Sequence, residues 1–296
     1  MTSSDRRNEL IVVTGASTGM GAATAEELAR RGFHVLAGVR READADALRA
    51  DGIEPQILDI TVESDIAAIA DRVTRDPRPL RALVNNAGIA INSPVETLPM
   101  AQWRRQFEVN LFGHIAITQA LLPELFKSCG TVVNISSVGG KVVLPTYGAY
   151  AGSKFALEAA SDALRREVSD LGVKVVVVEP GAVKTAMPER GIATAQGLIA
   201  DMTAAQLARY GDLNAAVTAQ ARSFLDIGVP AEHAAKVIVK AATASRPRTR
   251  YTIGRDAAVL VRLSRVLPDR ALDRIMRRNL RSFAGESANS VVSVQN

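Results

Sequence analysis

The chain has 296 residues, 47% of them apolar and 23% charged, with a formal net charge of +5. That composition can bury a sizeable core and excludes a disordered or collagen-like polymer. A single cysteine, Cys129, excludes an internal disulfide framework and a four-thiolate zinc site, and it points to a reducing compartment, the cytosol.

Residues 1–9 read as a polar, flexible tail carrying Arg6 and Arg7, with no signal-peptide pattern. From residue 10 onward, short β-branched runs alternate with longer Ala-rich segments decorated with charge. Strands are expected at 10–14, 34–39, 55–58, 82–84, 131–135, 173–178 and 251–253. Between them, segments such as 21–31 and 65–75 space Ala, Leu, Ile and Val three and four residues apart, as amphipathic helices do. Alternating strands and helices fit one doubly wound α/β domain over 10–254 with a seven-stranded parallel sheet. No apolar run approaches the roughly 20 residues of a spanning helix.

The first strand runs into T-G-A-S-T-G-M-G, Thr14 to Gly21, at the opening of a helix. Gly15, Gly19 and Gly21 free the backbone to turn tightly and approach a pyrophosphate, while the helix N-terminus offers unpaired N–H groups and a positive dipole end. A glycine-rich turn that only connects two elements is the plainer alternative. No Lys-Ser/Thr pair follows, so this is not a P-loop. The second strand ends in Arg40 and Arg41, with no acidic residue there to hold a ribose diol. Guanidinium groups at that place can pair with a 2′-phosphate, which favours NADP(H) over NAD(H); otherwise they solvate a surface loop. Asp59 closes the third strand, either as a hydrogen-bond acceptor for adenine or as a turn aspartate.

Tyr150 and Lys154 stand four apart in Y-A-G-S-K, on one face of a helix. A phenol with a pKa near 10 works as an acid–base group at neutral pH only beside a cation, and Lys154 can be that cation. Ser137 closes the fifth strand, at the edge where open α/β sheets bind ligands. Asn110 sits in the apolar stretch E-V-N-L-F-G, where a buried amide must find partners. His34, His114 and His233 lie in three separate elements without zinc spacing, so no metal is expected.

Taken together, T-G-A-S-T-G-M-G, N-N-A-G at 85–88, Asn110, Ser137, Tyr150 with Lys154, and P-G-A-V-K-T at 180–185 resemble the short-chain dehydrogenase/reductase family over roughly residues 9–255. The surroundings of Ser137 and Tyr150 resemble its 17β-hydroxysteroid and retinol dehydrogenase branch. The resemblance implies a Rossmann-type domain and a catalytic set of Asn110, Ser137, Tyr150 and Lys154. In that set Tyr150 exchanges a proton with the substrate oxygen, Lys154 lowers the phenol's pKa and holds the nicotinamide ribose, Ser137 orients the carbonyl, and Asn110 distorts its helix and holds a relay water. Cofactor contacts are implied from Gly15, Ser17, Thr18, Gly19, Met20 and Gly21, from Arg40 and Arg41, and from Asp59 and Ile60. Asn86, Ala87 and Gly88 complete them at the adenosine ribose, and Pro180, Gly181, Val183 and Thr185 at the carboxamide. A homodimer or homotetramer is also implied.

Two stretches interrupt the alternation. The 47 residues from 182 to 228 far exceed a usual βα connection, and the part at 186–228 is expected to be a lid. Its Met187, Ile192, Leu198, Ile199, Met202, Leu207, Tyr210, Leu213, Phe224 and Leu225 suggest an apolar pocket for a small lipophilic alcohol or ketone, or simply pack the lid. Residues 246–281 hold eleven arginines against three aspartates. A basic helical extension over 255–283 follows, then a flexible tail over 284–296. The extension reads as a solvated face or as peripheral contact with an anionic membrane. Nucleic-acid binding is not expected, because interleaved aromatics are missing. The leading function is an NADP(H)-dependent oxidoreductase for a lipophilic secondary alcohol or ketone. A 3-oxoacyl-thioester ketoreductase and a non-catalytic nucleotide-bound regulator are the alternatives.

Overall fold

The computed structural model describes residues 8–292. In chain order it contains β1 (Leu10–Val13), α1 (Gly19–Arg30), β2 (His34–Val39), α2 (Glu42–Leu48), β3 (Ile53–Ile57), α3 (Glu63–Thr74) and β4 (Leu80–Asn85). Next come α4 (Met100–Phe107), a π-helical turn (Glu108–Phe112), α5 (Gly113–Ser128), β5 (Thr131–Ile135), α6 (Gly148–Glu167) and β6 (Lys174–Pro180). The chain continues through β7 (Val183–Lys184), α7 (Ala186–Ala200), α8 (Ala204–Ile227), β8 (Val229–Pro230), α9 (Ala231–Thr243) and β9 (Arg250–Ile253). It closes with α10 (Arg255–Val266) and α11 (Asp269–Val292).

The main sheet has seven strands in the order β3-β2-β1-β4-β5-β6-β9, every pair parallel. The central strands read as unbroken apolar runs because helices cover both faces. Successive residues of β1 therefore serve opposite layers: Ile11 and Val13 join the core that includes Leu28 and Ile238, while Leu10 and Val12 join that of Ile69, Ile117 and Leu121. Pro55 and its polar neighbours Glu54 and Gln56 lie on β3, an edge strand, where a missing ladder donor is tolerated. The order reverses between β1 and β4, opening a crevice at the carboxyl ends of those strands.

The long connection after β6 is two helices rather than an open loop. Thr203 and Gln206 form a reciprocal capping box that starts α8. Beyond β9, α10 buries Ala257 and Val261, and α11 packs along α8, where Gln220 Nε2 donates to Asn279 Oδ1 at 2.7 Å. The last helix continues to Val292, past the boundary at 283, and residues 284–292 contain no proline to stop it. Residues 1–7 and 293–296, in the tails expected to be flexible, lie outside the described residues. No described helix is long and apolar enough to cross a membrane.

Candidate active site

The crevice begins at the glycine-rich turn. Gly15 and Gly19 adopt φ of 63° and 61°, a region that disfavours side chains. A Cβ on Gly21 would lie 2.3 Å from the carbonyl oxygen of Gly15, and one on Gly15 would lie 2.7 Å from Cα of Ala87. Thr18 precedes α1 without capping it, and no acidic residue occupies the first turn. The backbone N–H groups of that turn are thus left for an anion, and the cradle fits a dinucleotide pyrophosphate. Asn86 fastens the turn to β4: its Nδ2 donates to the carbonyls of Thr14 and Gly15, each at 3.0 Å. Thr14 Oγ1 accepts from the backbone N–H groups of Asn86 and Ala87 at 3.0 Å.

After β2, the exposed Arg41 grips Asp44 with two hydrogen bonds of 2.8 and 2.7 Å, and the guanidinium holds that carboxyl below its ordinary pKa. Arg40 is exposed and makes no hydrogen bond or ion pair among the described residues. Asp59 braces a turn, its Oδ1 accepting from Thr61 N at 2.9 Å and Thr61 Oγ1 at 2.7 Å. Ile60 is buried, its carbonyl at the place where a Cβ on Gly113 would fall. Met20 packs against the core while Ser17 stays partly exposed.

Asn110 lies fully buried at the centre of the π-helical turn. Its Oδ1 accepts from Ile89 N at 2.9 Å, and its Nδ2 donates to Ile89 O at 3.0 Å and Ser153 Oγ at 3.2 Å. One turn earlier, Gln106 repeats the device, accepting from Ile91 N at 2.8 Å and donating to Ile89 O at 2.7 Å. Two buried amides thereby replace the ladder partners that loop 88–91 lacks. His114 Nε2 donates to Ala87 O at 2.6 Å; burial lowers its pKa to about 3, so the ring is neutral and acts in positioning the loop.

Ser137, Tyr150 and Lys154 meet where β5 ends and α6 begins. Ser137 caps a short 3₁₀ turn, accepting from Gly139 N at 3.0 Å, and its hydroxyl and the Tyr150 ring both flank Gly139. Burial raises the phenol's pKa, and the nearby Ser137 hydroxyl acts in the opposite sense. Lys154 is 5% exposed, and its Nζ donates to Ile135 O at 2.9 Å. Burial lowers its pKa to about 8, with Glu158, one turn along α6, acting in the opposite sense. Tyr147 meets Tyr150 edge-on at 6.1 Å. Ile89, Ile91, Leu98, Trp103 and Leu198 form an apolar cluster with Ala149, the residue before Tyr150 in α6.

At the carboxamide end, Gly181 N donates to Ile253 O at 2.9 Å, and a Cβ on Gly181 would sit 2.7 Å from Cβ of Ala257. Pro180 ends β6, Val183 is buried in β7, and Thr185 Oγ1 caps α7 by accepting from Met187 N. On the lid, Leu207 is 41% exposed and Tyr210 gives its hydroxyl to Glu96, so neither is an apolar wall. Sequence reasoning missed Gln106, although it shares a helical face with Asn110. It also missed a buried ionic cluster behind α6, in which Glu158 pairs with Lys141 at 2.7 Å and Arg250 at 3.0 Å, with Glu179 alongside. A glutamate inside V-V-V-V-E-P was its visible signal. Among the described residues, no group of three His, Cys, Asp or Glu is placed to hold a metal.

Residues 9–196 match the family model described as short chain dehydrogenase. The chain is 33% identical over 286 residues to an NADPH-dependent 3-dehydrocapnine reductase of Ornithobacterium rhinotracheale, covering 93% of this chain and 99% of that one. It is 37% identical over 277 residues to retinol dehydrogenase 5 of Mus musculus, covering 90% and 87% respectively. A short chain dehydrogenase/reductase from Burkholderia phymatum, solved in complex with NAD, superposes with a TM-score of 0.73 at 22% identity, covering 86% of this chain and 92% of that one.

Proposed function

We propose an NADP(H)-dependent oxidoreductase for a lipophilic secondary alcohol and its ketone, steroid-, retinoid- or lipid-like, from the premise that the chain belongs to the short-chain dehydrogenase family and is an NAD(P)-dependent oxidoreductase acting on a CH–OH group. The observation that carries the proposal is the surroundings of Tyr150. A phenol kept protonated by burial flanks Gly139 together with the Ser137 hydroxyl, and the helix that carries it also contributes Ala149 to the apolar cluster of Ile89, Leu98, Trp103 and Leu198.

The bound dinucleotide supplies or accepts the hydride. The chain's residues do the rest. Ser137 orients the substrate oxygen, and Tyr150 donates its proton to that oxygen during reduction and recovers it during oxidation. Lys154 places a buried cation one helical turn from the phenol. Asn110 and Gln106 hold loop 88–91 and so fix the floor of the site. The turn at 15–21 and Asn86 would hold the pyrophosphate end, and Pro180 to Thr185 the nicotinamide end. Arg40 and Arg41 would grip a 2′-phosphate, Arg41 exchanging Asp44 for it.

Relative affinity for NADPH and NADH, together with turnover of ketones graded in size and polarity, tests the reading. NADPH should bind tighter, and Arg40→Ala with Arg41→Ala should weaken NADPH roughly 10- to 100-fold while sparing NADH. Bulky apolar ketones should outpace short polar ones. Equal binding of both dinucleotides, or faster turnover of short polar ketones, contradicts the corresponding half of the proposal.

A further inference from the structure

The first helix of the lid is wedged against the glycine-rich turn. A Cβ on Gly19 would lie 3.0 Å from Thr185 Cγ2, and Gly191 is buried with its Cβ position 3.5 Å from Ala90 O. From the exposed side of α7, Arg190 reaches back across 172 residues of sequence and donates to Thr18 Oγ1 at 2.9 Å. Its partner is a neutral hydroxyl rather than a carboxylate. That hydroxyl is the residue that leaves α1 uncapped.

The same guanidinium lies close enough to Asp44 to help hold that carboxyl below its ordinary pKa, after Arg41, which grips it, and Arg40. Arginines from the β2–α2 connection and from the lid are thus within electrostatic reach of one half-buried carboxylate, that of Asp44. Three like charges gathered around a single carboxylate leave an excess of positive charge, which an anion with several oxygens neutralises better than Asp44 does.

We propose that Arg190 is a phosphate ligand of the dinucleotide carried on the lid, so that cofactor binding and the docking of α7 on the glycine-rich turn are one coupled event. The inference rests on the dinucleotide reading of the crevice. It adds a binding residue outside the glycine-rich turn and a reason for the lid to respond to the cofactor. A guanidinium on the lid can bond phosphate oxygens only while α7 stays seated, so dinucleotide affinity and lid docking share the same free energy.

The full-length chain offers a direct readout. Trp103 is the single tryptophan and packs in a cluster with Leu198 of α7, so its fluorescence can be titrated with NADPH and with NADH in the wild type, Arg190→Gln and Arg190→Lys. Arg190→Gln should weaken dinucleotide binding roughly tenfold or more, and Arg190→Lys should lose less because it keeps the charge. A loss confined to NADPH places Arg190 on the 2′-phosphate, and an equal loss for both dinucleotides places it on the pyrophosphate; either supports the proposal. Dinucleotide should also protect segment 186–228 from chymotrypsin in the wild type and fail to do so in Arg190→Gln. Unchanged affinity for both dinucleotides, or full protection in Arg190→Gln, overturns it. Failure of the NADP preference looks different: the wild type then binds NADH as tightly as NADPH and ignores Arg40→Ala, while Arg190→Gln still costs affinity for both.

Discussion

Lys154 is a buried ammonium with a backbone carbonyl as its hydrogen-bond partner, and burial brings its pKa from 10.5 down to about 8. The unfolded chain holds that proton up to the higher value and the folded chain only to the lower. Between the two, the unfolded state binds more protons and stability rises with pH; below about 8 the fold carries the cost of the buried charge. Lys154→Met should therefore raise Tm at pH 7 while abolishing turnover, and a fall in Tm would contradict this account of the burial cost. The kcat/KM for reduction, which reports groups of the free enzyme, should decline above about pH 8 as the cation is lost. Glu158→Gln removes the charge that supports the cation, so the decline should begin at lower pH; an unmoved profile would deny Glu158 that influence. The residues around this chemistry were unequally legible. Ser137, Tyr150 and Lys154 stand in one stretch with telling spacing, whereas Glu158 meets Arg250 across 92 residues, a distance that no local pattern encodes.

The elements that shape access are α7, α8 and α11. The length of the insertion after β6 marked it as a distinct segment, and T-x-x-Q at Thr203 and Gln206 was a readable helix start. Its association with the extension was not readable, because Gln220 and Asn279 lie 59 residues apart. The basic extension is in part a packing element: α11 lies along α8, whose Ala216, Val217 and Ala221 are at most 7% exposed. A chain ending at Pro268 should show a lower Tm and a raised KM for bulky ketones, because the back of the lid becomes wet. Unchanged Tm and KM would show that α11 does not support the lid. Liposome flotation of the same pair separates packing from membrane attraction, and similar flotation of the two chains would remove the membrane reading of α11.

At the scale of the molecule, seven parallel strands deliver every proposed catalytic and cofactor group to one edge of the sheet or to the helices beside it. The strands were legible because centrally buried parallel strands are plain β-branched runs; 34–39 and 131–135 coincide with β2 and β5. β3 starts two residues before its expected position, since an edge strand with Glu54 and Gln56 lacks that continuous signal. The π-helical turn at Asn110 was announced only by resemblance, because E-V-N-L-F holds neither proline nor glycine to interrupt a helix. The central claim is that this edge is a hydride-transfer site in which Tyr150 moves the proton. It is tested most directly by following NADPH oxidation with a panel of bulky apolar ketones, wild type beside Tyr150→Phe, with dinucleotide affinity measured for both. The account predicts turnover by the wild type and a loss of roughly 10²- to 10⁴-fold in Tyr150→Phe at unchanged dinucleotide affinity. Turnover by Tyr150→Phe at the wild-type rate would contradict it.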